Sequence, residues 1–404
     1  MPKQYIDKDV YTATLERLRI IFENFPKVYV AFSGGKDSSI MMHLAIEVAR
    51  EMNKLPVHSM FVDLEGNYDT TLDHVKEIFD MPEVKGYWVA LPIHLRNAVS
   101  QYKSQWIAWN PKEKENWIKS QPTHPTAIVD QNFFPFYRFG MEFEEFVLDF
   151  GEWFSQGEKT ASIVAIRSDE SLNRFRTIIN KKKIRFHDFG WTTKVSPNVY
   201  TMYPIYDWKT EDVWTAVGKF GWTYNKLYDL MYLQGRTFHQ MRICQPYGDG
   251  QKQGLDLFHE CEPETWSRVV NRVPGANMGS LYRGNPLLGN IKSILPEDVP
   301  SWKEYVIILL SSMPRYEAAH FISKIRVFLK WWEDHDYPIE KIPDCAPVKL
   351  ESAKKLPTWR RIGKTLLKND HLCKGLSFNQ TQHQHQRQQA FFEKYAEDYR
   401  EYGV

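Results

Sequence analysis

The 404-residue chain predicts an α/β fold, an open and mostly parallel sheet with helices on both faces, followed by a mainly helical C-terminal region. Three observations predict it. Short apolar runs alternate with amphipathic segments across the first part of the chain. A glycine-rich loop joins the first of these runs directly to a helical segment. Beyond about residue 265 only long stretches of helical period remain.

The elements follow in order. Leu15, Leu18, Ile21 and Phe22 repeat at helical spacing over residues 12–24, and Pro26 punctuates. Val28–Phe32 reads as a buried strand. Ser38 to Asn53 reads as a helix with Ile40, Met41, Leu44, Ala45, Val48 and Met52 on one side, ended by Pro56. A strand over 57–63, a helix over 70–80 and a strand over 87–92 complete a strand–helix alternation, the pattern of a parallel sheet with crossover helices. Over 93–140 the pattern breaks. Trp106, Trp109, Trp117, Phe133, Phe134, Phe136 and Tyr137 stand among prolines and charges, and this stretch reads as an inserted helical or lid-like excursion.

A helix over 142–155 and a fourth strand over 161–167 resume the alternation. Residues 181–190 are basic and turn-like. Residues 201–221 give a short extended segment and then a helix capped by Thr210, with Glu211 and Asp212 in its first turn. Near 302–313, 316–335 and 387–402 the period is helical, and 379–389 is a polar, low-complexity stretch. The expected division is a nucleotide-binding domain over 1–264 and a helical region over 265–404.

Composition narrows the function classes. The chain is 43% hydrophobic and 25% charged, an ordinary globular balance, and its 15% aromatic content argues against disorder. A net charge of +2 gives no global pull toward nucleic acid. No apolar run is long enough for a bilayer, and the N-terminus carries no apolar signal region, so a cytoplasmic protein without membrane contact is expected. Cysteines 244, 261, 345 and 373 are few and scattered, which fits a reducing compartment and excludes the close spacing of an iron–sulfur cluster.

Ser33-Gly34-Gly35-Lys36-Asp37-Ser38 carries the chemistry. A strand that ends in glycines and opens a helix aims several backbone N–H groups at one point, and the helix dipole adds to them. Gly34 and Gly35 allow close approach to an anion. Lys36 supplies charge; Ser33, Ser38 and Ser39 supply hydroxyls. Asp37 suits the helix start, Mg²⁺ or a ribose hydroxyl. The spacing is neither GxxxxGK[ST] nor GxGxxG. Asp63 to Asn67 and Arg167 to Ser171 also follow expected strands, so they converge on the same carboxyl edge. Arg167 offers a donor fork for phosphate, and Lys181, Lys182, Lys183 and Arg185 either add charge or form a solvated loop. Asp207 and Trp208 orient or stack on a ligand, or Trp208 and Trp214 are core; Glu170 either faces the ligand or pairs with Arg174.

In this setting SGGKDS resembles the PP-loop ATP pyrophosphatases. More narrowly, the chain is similar to the phosphoadenosine-phosphosulfate (PAPS) reductase and sulfate adenylyltransferase small-subunit branch. Asp63 in "FVDLEGNY", "IRSDES" at 166–171 and "YPIYDWKTEDVW" at 203–214 carry that likeness, which covers about residues 25–245. The resemblance implies ATP or PAPS with Mg²⁺. It implies Lys36, Asp37 and Arg167 as catalytic groups, and Ser33, Gly34, Gly35, Ser38, Ser39, Asp63, Glu170 and Ser171 as nucleotide ligands. "NKLYDLMYLQG" at 225–235 resembles the family's segment that closes the nucleotide site.

The departures matter as much. Assimilatory PAPS reductases carry a nucleophilic cysteine in a Glu-Cys-Gly-Leu-His setting, of which "HLCKGL" around Cys373 is a partial echo. Pyrophosphate-releasing chemistry on ATP survives this departure better than reduction, and a nucleotide-binding regulatory module is the alternative. His239, Cys244, His259 and Cys261 are zinc-type ligands at no standard finger spacing, so they read as a structural zinc site or as ordinary thiols and surface histidines. The long helical C-terminus resembles the IbrA-type group of PAPS reductase-like co-activators, which implies a ParB-like partner. Lys354, Lys355, Arg360, Arg361, Lys364 and Lys368 around Trp359 read as a nucleic-acid contact or a solvated helix face.

Overall fold

The structure is a computed structural model. It describes residues 6–97, 105–179, 183–243, 255–273, 295, 299–313, 315–335, 337–347, 350–351, 356–367, 370 and 373–376. Two compact units divide the chain, one of residues 1–99 with 103–276 and one of 100–102 with 277–404.

In the first unit, helix α1 (Val10–Asn24) is capped by Asp9, whose carboxylate accepts the Thr12 N–H at 2.7 Å. Strand β1 (Lys27–Ala31) leads through the glycine loop into α2 (Lys36–Glu51), β2 (Val57–Val62), α3 (Asp69–Phe79) and β3 (Val84–Val89). After the excursion come α4 (Phe143–Ser155), β7 (Thr160–Val164), α5 (Leu172–Ile179), β8 (Thr192–Lys194) and β9 (Val199–Met202). Helices α6 (Thr210–Phe220), α7 (Leu227–Leu233), α8 (Leu255–Cys261) and α9 (Pro263–Arg272) follow.

The excursion contains β4 (Ile93–Arg96), β5 (Gln105–Ala108), a 3-10 turn at Pro111–Asn116 and β6 (Ala127–Ile128). Of the helical or lid-like character expected there, no α-helix occurs among its described residues. Ile93 and Leu95 are buried on one strand, Trp106 and Ala108 on the other, so burial alternates with period two and selects an antiparallel ribbon. Strand β6 pairs with β3 and widens the main sheet.

Seven strands form that sheet, in the order β6-β3-β2-β1-β7-β9-β8. All neighbours run parallel except β8 against β9. The chain leaves β1 toward one edge and returns to pair β7 on its other side, so the order reverses between β1 and β7. Side chains alternate across the sheet. Val30 and Phe61 enter a core with α1, α2 and α6, whereas Tyr29 and Met60 enter a second core with α4 and α7. Two faces buried by helices explain why the strands read as near-continuous apolar runs.

Three boundaries differ from the sequence reading. Strand β3 begins at Val84 because Gly86 belongs to it; the Phe79 ring lies where a Cβ there would stand, 2.4 Å away. Thr210 is the first helical residue of α6 rather than its cap, and the Asp212 carboxylate accepts the Lys209 N–H at 2.7 Å. Strand β8, just after the basic, turn-like stretch 181–190, has no counterpart in the sequence reading.

In the second unit, α10 (Trp302–Ser312), α11 (Arg315–Glu333) and α12 (Trp359–Leu367) enclose Val306, Phe321, Ile325, Phe328, Ile362 and Leu366. Ser301 caps α10, and Asp344 accepts the Trp302 and Lys303 N–H groups at 3.0 and 3.1 Å. The segments 379–389 and 387–402 lie outside the described residues. Among the described residues no helix is long and apolar enough to cross a membrane.

Candidate functional site

The glycine loop lies at the carboxyl end of β1, beside the point where the strand order reverses. Gly34 has φ +71°, and a Cβ there would meet Thr71 Cγ2 at 2.7 Å, so the turn and its packing on α3 both require glycine. Asn225 locks the turn, donating to the Gly34 carbonyl and to Thr71 Oγ1 at 2.9 Å each.

The structure brings Lys36, Asp37 and Arg167 together. Arg167 Nε donates to Asp37 Oδ1 at 2.7 Å from the loop after β7, and Arg167 Nη1 lies 3.4 Å from Thr210 Oγ1. Lys36 Nζ is 3.9 Å from Asp37 Oδ2. Both cationic side chains are buried, Lys36 to 6% and Arg167 to 2% exposure. Burial pushes the Lys36 amine below its usual range, Asp37 opposes this, and Arg167 adds to it.

The loop's donors are engaged within the chain. The Lys36 N–H donates to the Tyr228 hydroxyl at 3.0 Å, and Lys36 Nζ donates to the Met241 carbonyl at 3.2 Å. Lys36 Nζ also lies 5.3 Å from the Tyr228 ring centroid. Arg242, next in the chain, donates to the Glu170 carbonyl. Segment 225–242 therefore meets both loops that the sequence assigned to the ligand. Tyr228 belongs to the 225–235 segment that the sequence set over the nucleotide site, whereas Met241 was not singled out, because it carries no motif and is remote from Lys36 in the chain.

The remaining candidates fall into place unequally. Ser33 is exposed and its Oγ is 3.1 Å from Ser38 Oγ; Ser38 also donates to the Gly35 carbonyl. Ser39 is fully buried, and its hydroxyl donates to the Gly35 carbonyl at 3.0 Å and bonds His74 Nε2 at 2.7 Å, so it ties the loop to α3. Asp63 is 1% exposed. Its Oδ1 accepts the Glu65 N–H and Asn67 Nδ2, each at 3.0 Å, and its Oδ2 accepts the Trp88 indole at 3.1 Å. Burial raises its carboxyl above the usual range against these donors. Ser171 accepts the Arg174 N–H at 3.2 Å at the start of α5, and Glu170 pairs with Arg174 Nε at 3.5 Å, the structural pairing.

Asp207 holds Arg17 through two bonds of 2.8 and 2.6 Å, and the buried Trp208 indole donates to Thr14 Oγ1, so both fasten α1 to the sheet rather than stack on a ligand. Arg185 donates to the Ile178 carbonyl, while Lys181 and Lys182 lie outside the described residues.

The zinc-type residues do not gather. His239 faces Glu211 on the surface at 3.1 Å, His259 is exposed, and Cys261 is half-buried with its thiol pushed up to about 11 by burial. Cys244 lies outside the described residues, among which no group of three or more such side chains is disposed to hold a metal. In the C-terminal unit, Arg360 pairs with Glu351 at 3.0 Å and the buried Arg361 donates to the Gly375 carbonyl, so neither arginine presents a nucleic-acid face; Lys354, Lys355 and Lys368 are outside the described residues. Cys373 is fully buried and its thiol is pushed up to about 12.

A buried ion pair supports the loop after β2. Glu65, in the left-handed region at φ 68°, is held by Arg272 Nε at 2.8 Å, with the Trp109 and Ile118 N–H groups at 2.7 and 3.1 Å. Arg272 also reaches Glu113 at 2.8 Å. Glu262 caps α3, accepting the Asp69 and Thr70 N–H groups at 2.8 and 3.0 Å.

Residues 235–342 and 337–387 match the domain of unknown function DUF3440. The uncharacterized protein YbdN of Escherichia coli (strain K12) is 40% identical over 380 residues, covering 92% of this chain and 91% of the relative. Among solved structures, a PAPS reductase from Candida auris in a phosphate complex is 13% identical with a TM-score of 0.33, covering 61% of this chain and 98% of that one. The FMN adenylyltransferase of Candida glabrata is 13% identical with a TM-score of 0.32; the match covers 56% of this chain and less than two thirds, 62%, of that one. With the phosphoadenosine phosphosulfate reductase domain matching residues 27–234, the chain belongs to the PAPS reductase domain family and carries a DUF3440 region after it.

Proposed function

We propose that this protein binds an adenine nucleotide at the carboxyl ends of β1 and β7, and cleaves or exchanges ATP at the α-phosphate with release of pyrophosphate. One observation carries the reading: two buried cations, Lys36 and Arg167, share the single carboxylate of Asp37. Glu170 and the exposed Arg242 also act on Lys36, in opposite senses, so the buried imbalance is that of Lys36 and Arg167 over Asp37. An excess of buried positive charge is relieved by an anionic ligand. Lys36 and Arg167 would bind phosphate oxygens and offset charge developing on a pyrophosphate leaving group, while Asp37 orients the Arg167 fork.

Mg²⁺ fits only as a companion of the nucleotide. Asp37 Oδ1 is taken by Arg167 and Asp63 is enclosed, so Asp37 Oδ2 and the partly exposed Glu170 are the described site carboxylates with access, and nucleotide phosphates would supply the other ligands. Bound there, the ion would neutralise phosphate charge. PAPS reduction is disfavoured at Cys373, since its buried thiol resists forming the thiolate that nucleophilic attack needs.

A second reading, a nucleotide-binding regulatory module, is favoured by the bonds from Lys36 to Tyr228 and Met241, which hold the loop in a self-satisfied state. A ParB-like partner belongs to this reading and rests on resemblance of layout alone.

The test is product analysis of ATP with Mg²⁺, with and without sulfate, on wild type and Lys36→Ala. Pyrophosphate with AMP or an adenylate, absent in the variant, supports the enzyme. ATP-dependent thermal stabilisation without turnover, lost in the variant, supports the module. Equal behaviour of wild type and variant would refute both.

A further inference from the structure

We propose that a second cavity in the first unit, lined by residues 117–121 with Lys114 and Arg268, binds a small phosphate or sulfate ester carrying a planar ring, as the second substrate. Its volume of about 480 Å³ suits a small molecule. Three of these seven side chains, Lys114, Lys119 and Arg268, are cations, and Trp117 is only half-buried. Lys114 Nζ lies 5.8 Å from the Trp117 ring centroid. Charge for an oxyanion therefore stands beside a flat apolar face.

Between the 3-10 turn that carries Lys114 and helix α9 that carries Arg268, the wall at 117–121 has no regular secondary structure, yet most of it is pinned. The Trp117 indole donates to the Asn110 carbonyl at 2.9 Å. The Ile118 N–H donates to the buried Glu65 at 3.1 Å, and Arg268 Nη1 approaches the Ile118 carbonyl at 3.5 Å. Lys119 donates to the Asn67 carbonyl at 2.7 Å and to Asp69, and its side chain is 10% exposed. Gln121 Nε2 donates to the Ala90 carbonyl at 2.8 Å. Asp69 neutralises Lys119, which leaves Lys114 and Arg268, both exposed, to meet an anion. An irregular segment fixed this firmly is preorganised for recognition.

Position ties the cavity to the nucleotide loop. Lys119 grips Asn67 and Asp69, and Thr71, two residues on, packs under Gly34. The segment from Asn67 to Thr71 thus borders both. The role of second substrate rests on the nucleotide reading; the binding of an anion does not.

The experiment is isothermal titration calorimetry with 4-nitrophenyl phosphate, 4-nitrophenyl sulfate and inorganic phosphate. Wild type, Lys114→Ala/Arg268→Ala and Lys36→Ala are compared, with ATP titrated into each. Neither Lys114 nor Arg268 is buried, so the double variant keeps its fold, checked by an unchanged Tm. The expected result is binding of an aryl ester to wild type, weakened by about tenfold or more in the double variant, roughly what loss of one charged bond gives. Lys36→Ala should bind the aryl ester as wild type does and lose ATP. The phosphate and sulfate arms identify the oxyanion, and inorganic phosphate binding more weakly than its ester shows that the ring contributes. No ester binding at millimolar concentration, equal affinity in the double variant, or ester binding lost in Lys36→Ala would each overturn the site. ATP binding that survives Lys36→Ala would instead count against the nucleotide reading alone.

Discussion

Tyr228→Phe separates two roles for a hydroxyl that sits at the mouth of the glycine loop. In the structure it accepts the Lys36 N–H at 3.0 Å and lies 3.5 Å from where a Cβ on Gly35 would be. That is the direction in which the loop would meet an anion. Phenylalanine keeps the ring packing, including the edge contact with Trp214 at 5.3 Å, and removes only the oxygen. If the hydroxyl is displaced when ligand binds, wild type gives up a hydrogen bond that the variant never had. Such a bond is worth about 0.5–1.5 kcal/mol net. The free variant should lose about that much stability, and its affinity for pyrophosphate or ATP should rise by about 2- to 12-fold. Calorimetric titration gives the affinity and urea unfolding the stability. Unchanged affinity would refute displacement. Weaker binding would refute it more strongly, because the hydroxyl would then itself be a phosphate ligand.

Other perturbations test the frame around the site. Arg272→Met leaves the buried Glu65 without its cation and should cost about 3–5 kcal/mol in urea unfolding; adding Glu65→Gln should restore part of it, and a loss under about 1 kcal/mol would sink the assignment. Burial, with Lys85 and Lys27 adding to it, pushes the His58 imidazole down from 6.5 to about 4. The unfolded chain therefore takes up this proton first, so stability is full above about pH 6.5 and falls as pH drops toward 4. His58→Gln should show a shallower loss of urea midpoint between pH 7 and pH 5, and parallel losses would contradict the assignment. Cys373→Ala should leave nucleotide turnover within about twofold of wild type and lower stability by about 1 kcal/mol, the order of one buried methylene; abolished turnover with binding intact would restore a reductase reading.

The sequence made legible what is local. The glycine loop sits between a strand and a helix because its residues alone dictate that turn, and Gly34 at φ +71° shows why. Lys36, Asp37 and Arg167 were readable because parallel strands carry their carboxyl ends to one edge, whatever lies between them in the chain. The excursion misled because its aromatic and proline content masked a period-two pattern only four residues long on each strand. The orientation of Asp63 was hidden for another reason. Its place after β2 was right, but three donors turn its carboxylate inward, and an acidic residue at a strand end reads the same in either orientation.

What stayed hidden depends on pairs far apart in sequence. Glu65 and Arg272 are 207 residues apart, Lys36 and Met241 are 205 apart, and no spacing rule links either pair. Their energetics explain why they matter to function. A buried ion pair is poor value for stability, since desolvation offsets most of its attraction. The Glu65–Arg272 pair is better understood through what it fixes: Trp109, Ile118 and the wall of the second cavity. The Lys36 bonds work in the opposite sense. The Met241 carbonyl takes the buried amine and the Tyr228 hydroxyl takes the Lys36 backbone N–H, neutral partners that leave the amine only Asp37, shared with Arg167, as close counter-charge. A site held closed by neutral partners is stable enough to fold and still prefers an anion, and the Tyr228→Phe titration measures the difference between those two states.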